Sequence, residues 1–229
     1  MPPSADPGIT TGANSRRRGR LVAAVLAVVL GLGGALTVGY AVDHQQGAPP
    51  PLAAASLPGP QTPVAPVPSV AVLSAARPIS IRIPAINVSS PVTIVGLNPD
   101  HTMEVPHQGP LYDQPAWYRY SPTPGERGPS VIIGHVDSAK DGPSVFFTLG
   151  ALKPGQRIEV ARADGTTAAF EVDSVGSFPK DSFPTRAVYG DTDHAALRLI
   201  TCGGSFDETT HSYRNNIVVF AHLIGPAPA

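Results

Sequence analysis

The chain has 229 residues, a formal net charge of -1, seven histidines, 27 prolines and one cysteine. This length suits one folded domain with extensions, since about 150 residues already bury roughly 70% of the surface their unfolded chain exposes. A lone cysteine excludes an internal disulfide framework and a multi-cysteine metal site, and near-neutral charge gives nucleic-acid binding no support.

Residues 1–20 are rich in Pro, Ser, Gly and Thr and carry Arg16, Arg17, Arg18 and Arg20; without an apolar period they are expected to form a disordered cytoplasmic tail. Residues 21–40, "LVAAVLAVVLGLGGALTVGY", hold no charge. At about 1.5 Å per helical residue, a run of that length spans the roughly 30 Å hydrocarbon core of a bilayer, so a transmembrane signal anchor is expected. The preceding "RRRGR" stays in the cytoplasm by the positive-inside rule, which puts everything after Tyr40 outside as a single-pass membrane protein. A cleaved signal peptide is the competing reading, but its apolar stretch would be about 7 to 15 residues with a small-x-small site directly after it.

Residues 41–76 follow as a linker, in which the stretch Ala48 to Pro68 holds eight prolines. Proline denies backbone donors and favours an extended chain, so this segment reads as a stalk. From Arg77 the pattern turns to short β-branched runs punctuated by Gly, Pro and Asn or Asp. Strands are expected at "PISIRIP", "PVTIVGL", "HTMEVP", "PSVIIGH", "QRIEVARA", "TAAFEVDSV", "ALRLIT" and "NNIVVFAHLI". Asp164-Gly165 should supply positive φ for a hairpin between the "RIEVARA" and "TAAFEV" runs. Helical pieces are expected only at "PTRAVYG" and "SVFFTLGAL". Such a pattern, all-β with short helices and close-spaced turns, predicts a closed eight-stranded barrel. The aromatic run Trp117, Tyr118 and Tyr120, beside a Pro-rich loop, is read as closing a barrel end rather than lining a groove.

Cys202 stands where "ALRLIT" meets Gly203-Gly204. Two glycines should break the strand, which would set the thiol at a strand end beside a turn. If "NNIVVFAHLI" returns antiparallel to "ALRLIT", Arg214 comes close to Cys202. A guanidinium there would favour the thiolate and could donate hydrogen bonds to an oxygen gaining charge in acyl transfer. A nucleophilic cysteine also needs a proton carrier. His135 emerges at the end of the "SVIIG" run and His211 shares the loop before Arg214, and spacing alone does not choose between them. His44 falls in the stalk, His101 in a turn signal, and His222 in the final strand as a structural histidine; His107 and His194 lie in polar connections. No EF-hand spacing or histidine-carboxylate cluster is present, so neither a metal nor a cofactor is expected.

With these residues in view the chain resembles the sortases, cysteine transpeptidases of Gram-positive bacteria, and most closely the class F or class E type of actinobacteria. "SVIIGHVDS" looks like the family strand ending in its catalytic histidine, "LITCGGSFD" like its Thr-Cys strand, and "HSYRNNIVVFAHLI" like the segment bearing its arginine; "GPSVFFTLGALKPGQRIEV" is also typical. The resemblance covers residues 77–225 as a catalytic domain and implies the sortase β-barrel. It assigns the acid/base role to His135, the nucleophile to Cys202 and the oxyanion or substrate contact to Arg214. Thr201 and Arg198 are implied substrate contacts. Arg198 departs from the Thr-Leu-x-Thr-Cys pattern and alternates onto the face of Cys202.

The activity implied is cleavage of a Leu-Pro-x-Thr-Gly-like C-terminal sorting signal on surface proteins, with transfer from an acyl-thioester to a peptidoglycan-precursor or pilin amine. Two rivals stand beside it. Another extracytoplasmic cysteine acyl-transferase or hydrolase, such as an L,D-transpeptidase, would place its histidine just before the cysteine, whereas His135 lies far upstream. A non-catalytic surface binding module would bury Cys202 and make Arg214 structural.

Overall fold

A computed structural model describes residues 70–227. The expected cytoplasmic tail, the anchor at 21–40 and most of the linker lie outside the described residues. Among the described residues, no helix is long and apolar enough to cross a membrane.

The described residues form eleven strands: β1 Pro78–Ile83, β2 Val88–Pro91, β3 Thr93–Val95, β4 Ala116–Tyr118, β5 Gly128–Ile133, β6 Asp137–Ser138, β7 Gly142–Pro143, β8 Arg157–Arg162, β9 Thr167–Pro179, β10 Ala195–Asp207 and β11 Ser212–Pro226. Nine of them make one sheet in the order β2-β1-β8-β9-β11-β10-β5-β4-β3, and β6 pairs β7 in a separate ribbon. The two terminal strands of that order are consecutive in sequence, with only Val92 between Pro91 and Thr93. One run of chain therefore pairs with β1 at its start and with β4 at its end. The sheet is a nearly closed barrel of eight such runs, and the seam is crossed by the chain itself rather than by a ladder between two separate strands.

Several expectations needed revision. "HTMEVP" makes no strand, only the single bridge Leu97↔Met103, because Asn98 to His101 form a tight turn with His101 at φ 65°. The short strands β2 and β4 carried too few alternating residues to be read. The Gly203-Gly204 pair does not end β10, which runs on to Asp207 through a register shift between Gly203 and Phe206. Gly204 takes φ +77°, so the glycines bend the strand where a side chain would resist. At the β8–β9 hairpin only Gly165 is left-handed, at φ 83°; Asp164 contributes differently, its carboxylate accepting from the Thr166 N–H at 3.0 Å and hydroxyl at 2.7 Å. The two expected segments hold a five-residue α-helix at Thr185–Tyr189 and a 3-10 turn at Leu149–Ala151, but two further 3-10 turns form outside them, at Pro84–Ile86 and Lys180–Ser182.

The uninterrupted apolar runs of β5, β10 and β11 follow from burial on both faces. Inward, Ile132, Leu197, Leu199, Ile217 and Val219 join Phe146 and Phe170 in the barrel core. Each of these fully buried side chains contributes about 1.5 to 3 kcal/mol. Outward, Val131, Ile133, Ile200, Val218 and Phe220 pack with Val188 under a cover that includes Phe178, Phe183 and Tyr189. This cover is the end of β9 and the helix after it. Of the aromatic run read as closing a barrel end, Trp117 is buried, with its indole N–H donating to the Pro122 carbonyl at 3.2 Å, Tyr118 is half-buried, and Tyr120 is 66% exposed, against that reading.

Residues 70–76, read from composition as the end of the linker, already lie on the barrel. Val70 and Leu73 pack against the core, Leu73 N–H donates to the Gly125 carbonyl at 2.8 Å, and the buried guanidinium of Arg162 donates to the Ser74 carbonyl.

Candidate active site

β5 and β10 run parallel, with Val131 opposite Arg198, Ile132 opposite Leu199 and Ile133 opposite Ile200. Gly134 N–H adds one more rung, donating to the Ile200 carbonyl at 3.1 Å. Ile133 and Ile200 stand two residues before His135 and Cys202, so both residues lie off the same end of this pair of strands, which run about 4.8 Å apart. Side chains alternate, so both lie on the face of Ile133 and Ile200, outside the barrel core and beyond the cover. Cys202 is partly exposed there. On its other side β10 pairs antiparallel with β11, Cys202 opposite Asn216 and Gly203 opposite Asn215. Arg214 follows two residues beyond Asn216 on the same face.

The three expected catalytic residues thus gather at one end of the β5-β10-β11 ladder, but their side chains are differently engaged. Nε2 of His135 lies 2.7 Å from the carbonyl oxygen of Pro106. A carbonyl can only accept, so Nε2 carries the proton. The Tyr112 ring stacks on the imidazole, with centroids 4.0 Å apart and planes 6° from parallel. Tyr112 also donates to the Asp137 carbonyl at 2.8 Å, and the hydroxyl of Tyr213 donates to the Asp137 carboxylate. Burial raises the Tyr112 phenol above its ordinary value, and Asp137, Asp113 and Cys202 add to it. Burial, the bonded Asp137 carboxylate and Cys202 push Tyr213 the same way. Both phenols therefore stand within electrostatic range of the sulfur.

Arg214 is turned toward the hairpin. Its Nη2 donates to Asp207 Oδ2 at 3.1 Å, and its side chain is 66% exposed. The Asp207 carboxyl is held below the usual range by the N–H groups of Thr210 and Thr209, with Arg214 adding to them. The guanidinium is thus paired with Asp207 and mostly exposed, rather than directed at Cys202.

The two expected substrate contacts fare less well. Thr201 alternates inward, is 4% exposed, and leaves its hydroxyl without a partner; a substrate lying over Cys202 is on the opposite face. Arg198 does share the face of Cys202, but it is 6% exposed. Its guanidinium lies 4.7 Å from the Phe220 ring and donates to the Leu197 carbonyl at 3.1 Å. Burial lowers its pKa to about 10, against the charge of Asp173. It is covered by protein rather than offered to a ligand. Of the other histidines, His211 sits exposed in the β10–β11 hairpin at φ 48°, and His222 bonds Asp173 at 2.6 Å as the structural residue expected.

Sequence reasoning passed over Pro106, Tyr112, Asp137, Tyr213 and Asp207. Asp137 and Tyr213 stood within two residues of chosen positions and could have been flagged by that adjacency. Nothing in the loop "VPHQGPLYDQP" signalled that it would fold back onto His135. No group of His, Cys, Asp and Glu suited to a metal ion occurs among the described residues.

A family model described as the Sortase domain matches residues 81–224. Among solved structures the chain is similar to a lid mutant of Sortase A from Corynebacterium diphtheriae, at 23% identity, covering 67% of this chain and 74% of that one with a TM-score of 0.51. It is also similar to Sortase A from Corynebacterium diphtheriae, at 22% identity over 68% of this chain and 64% of that one, TM-score 0.50. Sortase C of Streptococcus pneumoniae is similar at 20% identity over 67% and 70%, TM-score 0.50. At these identities the likeness is one of fold. No curated protein matches the chain.

Proposed function

The chain belongs to the sortase family of cysteine transpeptidases, and from that premise we propose that it is a membrane-tethered enzyme that cleaves a Leu-Pro-x-Thr-Gly-like sorting signal and passes the protein to an amine. The observation that supports this reading is the parallel register of β5 and β10, which pairs Ile133, two residues before His135, with Ile200, two residues before Cys202. An isolated structural cysteine would need no such neighbour.

In this reading the Cys202 thiolate attacks the carbonyl carbon of the signal's threonine, forming a C–S bond. Arg214, released from Asp207, donates to the oxygen that gains charge. The C–N bond to glycine then breaks, its electron pair stays on nitrogen, and the imidazolium of His135 supplies the proton. A peptidoglycan-precursor or pilin amine attacks the resulting thioester. The new C–N bond forms as the C–S bond breaks, and neutral His135 takes the proton from the amine. The uncharged run at residues 21–40 and the Pro-rich segment after it support an extracytoplasmic domain held at the membrane.

Incubating the full-length protein with a panel of sorting-signal peptides and trapping the adduct by intact mass spectrometry tests the reading directly. Wild type is expected to gain the mass of the acyl fragment, on Cys202, and to release it to an added amine. Cys202→Ala should gain nothing; transpeptidation retained by that variant would sink the mechanism.

A further inference from the structure

His135 is held by a segment that comes from neither β5 nor β10. Between β3 and β4 the chain leaves the sheet and returns, and it touches the site with three consecutive features. The Pro106 carbonyl accepts the Nε2 proton of His135 at 2.7 Å. The Tyr112 ring lies flat on the imidazole at 4.0 Å. Asp113 Oδ1 accepts from the Ser144 hydroxyl at 2.7 Å, just past the ribbon that follows His135. The segment is shaped for this, since the turn Gly109 to Tyr112 is closed by a 3.0 Å backbone bond with Gly109 at φ 129°. It is not simply packed onto the neighbouring strand: a cavity of about 230 Å³ opens between Thr93–Val95 and the run from Glu104 to Leu111. The segment's two ends are bonded at β3, Glu104 N–H donating to the Gly96 carbonyl at 3.0 Å and Thr93 N–H to the Pro115 carbonyl at 2.9 Å, and between those ends it is attached to the histidine and the ribbon after it.

Resting on the transpeptidase reading, we propose that Tyr112 is a positioning residue which, with the Pro106 main chain, fixes the imidazole with its proton on Nε2 and makes Nδ1 the nitrogen that exchanges protons with the reacting amines. An imidazole free to rotate about two bonds would present either nitrogen, and each tautomer would be populated. Here one ring edge is committed to a carbonyl and one ring face is covered by a phenol. The hydroxyl of Tyr112, bonded to the Asp137 carbonyl at 2.8 Å, fixes the far tip of the phenol, while the imidazole lies against its face. With Nε2–H occupied, only Nδ1 can give a proton to the leaving amine nitrogen and take one from the incoming amine. This is the arrangement by which an acid/base histidine is usually oriented, with a main-chain oxygen in place of a carboxylate.

The test is made on the full-length chain labelled with 15N at its histidine rings, with His135 assigned by the signals lost in His135→Gln. Wild type is expected to show the neutral His135 ring as the Nε2–H tautomer, a readout that needs no turnover and so stands apart from whether peptides are processed. Tyr112→Ala should give a mixture of tautomers and lower the kcat of thioester formation by about 10- to 100-fold, the scale of a small misplacement, with the KM for peptide changed less than about twofold. Tyr112→Phe keeps the stack and should lie between the two. An Nδ1–H tautomer in wild type would overturn the proposal, as would a Tyr112→Ala enzyme with wild-type kcat. A faster Tyr112→Ala enzyme would make the segment a cover and not an anchor. If Tyr112→Ala fails to fold, the wild-type ring spectrum and the Tyr112→Phe rate still decide. A wild type that forms no thioester with any peptide would defeat the transpeptidase reading while leaving the tautomer measurement intact.

Discussion

Gly134→Ala is the perturbation that tests how His135 is delivered. A Cβ at position 134 would stand 2.7 Å from Cδ2 and 3.0 Å from Cε2 of Phe146, and 2.9 Å from Cγ1 of Val145. Phe146 has no exposure and lies in the barrel core, so its ring cannot step aside. The backbone is equally constrained: Gly134 N–H bonds Ile200 at 3.1 Å and the His135 carbonyl accepts from Phe146 N–H at 3.1 Å. Overpacking of this kind costs about 1 to 3 kcal/mol. For a domain of about 150 residues each kcal/mol moves the melting midpoint by about 2 to 4 °C, so a fall of roughly 2 to 12 °C is expected. The strand can relieve the clash only by lifting away from Phe146, and His135 moves with it. A displacement near 1 Å should slow thioester formation by about 100-fold. Calorimetry and rapid-quench mass spectrometry of the thioester read the two effects separately. In Gly134→Ala/Phe146→Leu the smaller side chain should restore part of both, giving a coupling of about 0.5 to 3 kcal/mol. Wild-type stability and rate in Gly134→Ala would refute the reasoning.

Arg214→Ala should slow thioester formation by about 100- to 1,000-fold, as loss of one oxyanion donor does elsewhere, while the denaturation midpoint stays near wild type because the side chain is mostly exposed; an unchanged rate would remove Arg214 from the chemistry. Asp164 is held below the usual carboxylate range by the hydroxyl and then the N–H of Thr166. A depressed carboxyl stabilises the fold above its unfolded pKa of about 3.9 and loses that contribution as pH falls through the folded value. The gap in urea midpoint between wild type and Asp164→Ala should therefore be full at pH 6 and shrink below about pH 4, and a gap that widens on acidification would contradict the sign. Arg198→Met replaces a buried, incompletely bonded cation, a change that is often neutral or stabilising. Its unfolding free energy should stay within about 1 kcal/mol of wild type, since the loss of the Phe220 stack offsets the relief of desolvation. A larger drop, read by urea titration, would show the guanidinium held by more than that ring.

The residues that bury themselves were the legible ones. β1, β5, β8, β9, β10 and β11 stood out as alternating or continuous apolar runs, and their hydrophobicity is the force that forms them. The antiparallel return of β11 beside β10 was also within reach, because a hairpin is local. The parallel pairing of β5 with β10 was not, since no short-range rule specifies which distant strand becomes a neighbour; the place of His135 beside Cys202 came from resemblance to a family and not from spacing. Gly203-Gly204 misled because Gly203 still pairs with Asn215 and the ladder resumes at Phe206 opposite Tyr213 after the register shift. Arg198 and Thr201 show the same limit. Alternation assigned Arg198 to the face of Cys202 but could not tell that a cover would close over it, and the same alternation was not applied to Thr201, which falls on the other face.

The two strands that meet at the sulfur are acquired at different stages of assembly. The β10–β11 hairpin joins near neighbours and can zip on its own, whereas the β5–β10 pairing closes a long excursion through β6 to β9 and carries the entropy of that loop. A chain still collapsing thus possesses a thiol without its imidazole. Competence arrives last, with the completed wall, so any population trapped before that point would be chemically silent rather than indiscriminately reactive.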